Sequence, residues 1–278
     1  MGIFHWASPR RGMIAASLLA ALLLLPHATQ AQDIGNFDPF VTDDHSAPKS
    51  VATVKDPTGG APTARVYSFK IPPAYCNKKP YDKGSTDSDC TWKSTRSQIR
   101  ENVFATKKNG TAQPKQSWYG WHVYFPADFV YGWKQTKGNY EFAYWHNHQC
   151  PHLTFQNSAG RDNSLYLQTN RALGNYECAP GANVKVADFK DLVGKWTRFE
   201  VFVNWASDDT GKAQVYLDGK LAVDFSGPTL TKGYEKINYF KFGIYLCCTE
   251  DVAQIKGTNL YFAGVKRAPT REGLALKK

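Results

Sequence analysis

Apolar and polar residues alternate with a period of two through most of the chain, the signature of strands with one buried face. In INYFKFGIYLCC (237–248), Phe240, Phe242, Ile244 and Leu246 are apolar, whereas Tyr239, Lys241, Gly243 and Tyr245 hold the other parity. Further runs of this kind are ARVYSFKI, RSQIREN, SWYGWHVYF, YEFAYWHNH, HLTFQN, SLYLQT, WTRFEVFVNW, AQVYLDGKLAVDF and TNLYFAGVK. Gly and Pro punctuate them, and Asp218-Gly219 supplies the positive φ angles of a two-residue hairpin turn. Helix is scarce, with VADFKDLVG (186–194) the best short candidate. The pattern predicts an all-β chain folded as a jelly roll, a sandwich of two sheets.

The start of the chain breaks this pattern. Arg10-Arg11, an apolar run from Met13 to Leu25 and a small-residue end at Ala31 read as a signal peptide over 1–31. The run is short for a membrane span, and Pro9 before the arginine pair argues against a twin-arginine signal. Residues 32–63, rich in Asp, Pro, Gly and Thr, read as a wrapping or mobile N-terminal arm, and 64–278 as a single domain. A secreted or periplasmic monomer, with no membrane partner, is the expectation.

Charge narrows the partner. The chain carries 34 Lys+Arg against 24 Asp+Glu, a net +10, and the two leader arginines leave +8 beyond residue 31. Such a surplus favours polyanions; export makes an anionic polysaccharide the natural one, rather than nucleic acid or a lipid surface. Six cysteines, an even count in an exported chain, read as disulfides. Cys76 with Cys90 would staple an irregular loop, and Cys150 and Cys178 flank another segment. Cys247 and Cys248 would bond to each other only through a distorted turn, so their pairing with Cys150 and Cys178 is equally open. No CxxC or close Cys/His quartet suggests zinc. No cofactor is required, and a structural calcium on the loops stays open.

Three polar strand faces carry chemistry: Arg96, Gln98 and Arg100; Tyr144, His146 and His148; Tyr239, Lys241 and Tyr245. Side by side on one concave sheet they would line a groove of cations, amides, imidazoles and phenols. A uronate carboxylate met by Arg96 or Arg100 would make the neighbouring C5 proton removable. Histidine, titrating near ~6.5, suits the base, and tyrosine the acid if Lys241 eases its ionisation. The sum is β-elimination. A glycan-binding module that never cuts would keep the basic groove without needing the His/Tyr pair. A retaining hydrolase needs two carboxyl groups about 5 Å apart, and no E-x-D-x-x-E pattern is present.

RSQIR and YFKFGIY resemble strands of jelly-roll alginate lyases, and YWH sits where those carry Gln-Ile/Val-His. SWYGWHVYFPADF, AYWHNHQCPHLTFQN, GKWTRFEVFVNWASDDTGKAQVYLDGKL and YFKFGIY are more similar still to the heparin lyase I and glucuronan lyase group. The resemblance runs from about Thr95 to Tyr245. It implies a concanavalin A-like jelly roll and a polysaccharide lyase. His146 would then be the base, with His148 the alternative, and Tyr245 the acid and a candidate second base, with Lys241 a supporting cation. Arg96 or Arg100 and Gln98 would contact the acidic sugar, with Tyr144, Asn147, His148 and Tyr239 lining it. Gln98 replaces the family's Glu, and Tyr144 replaces its Gln; Asn147 or His148 would have to substitute for the missing amide. His122 and His152 read as structural, as do most tryptophans, Trp118, Trp121, Trp133 and Trp145 among them.

Overall fold

A computed structural model describes residues 37, 39–102, 113–131, 138–157, 162–174 and 177–276; the expected signal peptide and Trp133 lie outside them. Two antiparallel seven-stranded sheets form the sandwich. The first runs β1 (Phe40–Thr42), β4 (Thr95–Glu101), β13 (Tyr239–Cys247), β6 (Asn139–His146), β7 (Pro151–Gln156), β8 (Ser164–Gly174) and β9 (Glu177–Asp188). The second runs β12 (Lys220–Ser226), β11 (Lys212–Leu217), β10 (Trp196–Asn204), β5 (Gln116–Tyr124), β14 (Thr258–Ala268), β3 (Arg65–Ile71) and β2 (Val51–Lys55). This is the expected all-β jelly roll.

The core is aromatic and lies between the sheets. Phe240, Phe242, Ile244 and Leu246 all point into it from β13, as their alternation requires. Phe242 meets Phe69 and Phe262 of the second sheet at ring distances of 5.6 and 5.1 Å, and Trp121 stacks on Phe199 at 5.6 Å. The β11–β12 hairpin turns on Asp218 (φ 49°) and Gly219 (φ 86°), both in the left-handed region such a turn needs.

Three elements differ from expectation. The segment read as an arm supplies β1 and β2, an edge strand for each sheet. The helical candidate at 186–194 is the end of β9 followed by a single 3₁₀ turn, Phe189–Asp191, because Phe189 and Leu192 are drawn into the core. The β6 strand stops at His146; His148 takes φ 74°, so it reaches the site from a turn rather than by strand alternation.

The disulfides are Cys76–Cys90, Cys150–Cys178 and Cys247–Cys248. The last joins neighbours, and Cys248 leaves the strand with φ 62°.

Candidate active site

The three chemistry-bearing strands are neighbours, in the order β4, β13, β6. Their register aligns Arg100 with Lys241 and Lys241 with Tyr144; Tyr245 lies between Arg96 and Glu141, and Tyr239 lies opposite His146. All the polar side chains expected on these strands therefore share the sheet face turned away from the core. Part of that face is covered. Gln98, Tyr144, Tyr239 and Lys241 are buried, Lys241 against Asp43 just after β1, and the stapled 76–90 loop reaches Arg96 through Tyr81; Arg100, Glu141, His146 and Tyr245 are half-buried.

The middle of the face holds an amide. Gly243 stands between Gln98 and β6 and has no side chain, and the Tyr144 hydroxyl donates to Gln98 Oε1 at 2.9 Å. This bond turns the amide nitrogen the other way. Gln98 Nε2 is buried with no hydrogen-bond partner among the described residues, a costly state for a donor unless a ligand completes it.

Two strand cations on this face are each matched to a carboxylate. Lys241 Nζ lies 2.7 Å from Asp43 Oδ2, both nearly out of solvent. Burial opposes ionisation of Asp43, but Lys241, His45 and Arg96 outweigh it and hold the carboxyl well below its usual range. Arg96 is gripped by Asp89, Nε donating at 3.1 and 3.0 Å and Nη2 at 2.5 Å, and by the Tyr81 hydroxyl at 3.2 Å. Its guanidinium carbon sits 4.5 Å from the Tyr245 ring centroid. Arg96 is thus committed to its own side chains, and Arg100, half-buried and aligned with Lys241 on the same face, is the second guanidinium of the site.

His146 lies at the other end. The His148 backbone N–H donates to its Nδ1 at 2.9 Å, and the Tyr239 hydroxyl is 3.2 Å from the same atom. A neutral ring whose Nδ1 accepts must carry its proton on Nε2. Burial, then Lys241 and His148, keep this imidazole well below its usual pKa. Tyr245 is a phenol whose pKa is raised by burial and pulled back by Arg96.

Asn147 does not line the site, contrary to the expectation. Its Oδ1 accepts from the backbone N–H groups of Gln149 and Cys150, and its Nδ2 faces His152; it builds the turn after β6. His152 is buried and structural, with Nε2 2.9 Å from Ile237 O.

Four participants escaped the sequence reading: Asp43, Tyr81, Asp89 and Glu141. The first three come from segments with no strand signal. Glu141 is different. Strict alternation from Tyr144 and His146 places it with the core-facing parity, but register shifts in β6 between Glu141 and Ala143, and in β13 between Phe242 and Tyr245, break that parity. A lone carboxylate inside an aromatic strand was the available signal, since a charge is not left in a core.

Asp43, Asp44 and His45 offer donor atoms close enough to hold a cation. Lys241 and Lys79 already neutralise the two carboxylates.

The sequence profile of a family described as polysaccharide lyase matches residues 32–266. Among solved structures, an endo-β-1,4-glucuronan lyase from the fungus Trichoderma reesei is similar at a TM-score of 0.57 and 14% identity, covering 84% of this chain and 92% of that one. A family 7 alginate lyase solved with a product gives a TM-score of 0.51 at 13% identity, covering 80% and 84%. At such identities these two likenesses speak for the fold. A comparison with curated proteins matched none.

Proposed function

The chain belongs to the polysaccharide lyase family, and on that premise we propose that it cleaves a uronic-acid-containing anionic polysaccharide by β-elimination. The observation that carries this reading is the buried, unpartnered Gln98 Nε2 beside Arg100 and Lys241. A fixed amide donor and a guanidinium are what a sugar carboxylate needs in order to accept the charge that develops when C5 loses its proton.

Tyr245 is the acid in this scheme. Its raised pKa keeps it a phenol at neutral pH, and Arg96 above its ring stabilises the phenolate left after the proton passes to the departing O4. His146 serves as a neutral donor from Nε2, because its Nδ1 is already occupied. The leader at 1–31 would export the enzyme to meet its polymer, in keeping with three disulfides.

The test is incubation with glucuronan, alginate, heparan sulfate and pectate, followed at the ultraviolet absorbance of the C4–C5 double bond. One polymer should give absorbance, and Tyr245→Phe should lower kcat by about 10²–10⁴-fold while polymer affinity survives. Binding without absorbance in the unaltered protein would make it a glycan-binding module instead.

A further inference from the structure

Elimination needs a base as close to the reacting sugar as its acid. The expected base, His146, has its lone pair on an atom already holding a backbone N–H. Its cross-strand partner is Tyr239, whereas Tyr245 sits six residues further along β13, about 20 Å at ordinary strand rise before the bulge is subtracted. The group opposite Tyr245 on β6 is Glu141.

Groups from four strands flank Glu141. Arg96 stands on β4, Lys241 and Tyr245 on β13, Tyr144 on β6 itself, and the uncharged Gln156 opposite on β7. The Arg96 and Lys241 charges already have Asp89 and Asp43 as partners. Glu141 makes no ion pair or hydrogen bond among the described residues, although it feels both cations. It is a spare carboxyl, half-buried, in a face otherwise built for an anion.

We infer that Glu141 is a further catalytic residue, the base that removes the C5 proton in partnership with Tyr245. This rests on the lyase reading above. One carboxylate oxygen of Glu141 takes the C5 proton. The C–H electron pair moves into the sugar carboxylate held by Gln98 and Arg100, then forms the C4–C5 double bond as the C4–O4 bond breaks. The Tyr245 proton goes to O4. Glu141 then holds a proton and Tyr245 lacks one, and as cross-strand neighbours they return to the starting state by passing that proton back, directly or through one water. No oxidant, metal or net proton is consumed.

Chemistry favours the assignment. Burial raises Glu141, against the pull of Lys241 and Arg96, to about 7, where a base is both available and strong enough at neutral pH. A raised carboxyl pKa means the active carboxylate is lost as pH falls through that value. The kcat/KM of the unaltered enzyme should therefore drop about tenfold per pH unit below about 7.

Glu141→Gln should lower kcat by about 10²–10⁴-fold and abolish this acid limb, with KM little changed. A second measurement uses Tyr245→Phe in deuterated water. Glu141 should still exchange the C5 proton, so deuterium appears in uncut polymer, and the double variant with Glu141→Gln should show none. Retention of both rate and acid limb in Glu141→Gln would overturn the inference, as would loss of the limb in His146→Gln alone. Failure of the lyase reading looks different, because no uronate polymer would then yield the double bond with the unaltered protein.

Discussion

At the scale of single residues, the site holds two cations already matched before any ligand arrives, Lys241 by Asp43 and Arg96 by Asp89, and one carboxyl, Glu141, that is not. The Asp43–Lys241 pair shows how much depends on such matching. Removing one partner of a buried pair leaves the other uncompensated, at a cost of roughly 3–5 kcal/mol. Asp43→Ala should therefore lower stability by about that amount in chemical denaturation at pH 7. The pH dependence has a fixed sign. The folded Asp43 carboxyl titrates well below 3.8, so its contribution is complete above about 4 and fades as pH falls toward the folded value. The unaltered protein should lose stability over that acid window more steeply than Asp43→Asn; parallel curves would deny the pair its role. Nothing in the sequence around Asp43 announced this bond, because a short edge strand and a lysine some two hundred residues away share no local pattern.

At the scale of elements, period-two alternation was a dependable guide where strands are regular and failed where they are not. The parity of β13 and β4 was legible, and so was the adjacency of three polar faces once a sandwich was assumed. The bulges were not, and they decide that Glu141 joins the site. Gly243 marks the β13 bulge. Its φ is 126°, and a Cβ there would meet the Ser97 carbonyl and come within 2.9 Å of Gln98 Cα. A side chain at this position would suffer backbone strain and would press on Phe69 and push β4 away, lengthening the span that the Tyr144 hydroxyl crosses to Gln98. Gly243→Ala should cost about 3 kcal/mol of stability or more, with a larger KM for the uronate polymer among molecules that still fold. A variant with unchanged melting temperature and KM would show that the glycine is incidental.

At the scale of the whole molecule, two segments distant in sequence close over the site: the N-terminal strand that brings Asp43, and the disulfide-stapled loop that brings Tyr81 and Asp89. Net charge and cysteine pairing foreshadowed a basic, stapled protein, but long-range contacts of this kind carry no periodic trace. The two kinds of charge should separate by salt. Buried pairs are weakly screened, whereas exposed lysines act over a Debye length of about 10 Å at 0.1 M salt. Lys78, Lys79 and Lys83 are exposed on the stapled loop beside the site, and residues 32–278 carry a surplus of positive charge. Their field would gather a polyanion without entering the chemistry. Raising salt from about 0.05 to 0.5 M should increase KM several-fold while kcat holds, and replacing Lys78 and Lys83 with alanine should flatten that response. A kcat that falls in step with KM would place the screened charges in the reaction itself, and a KM indifferent to salt would mean that the positive surface takes no part in capture.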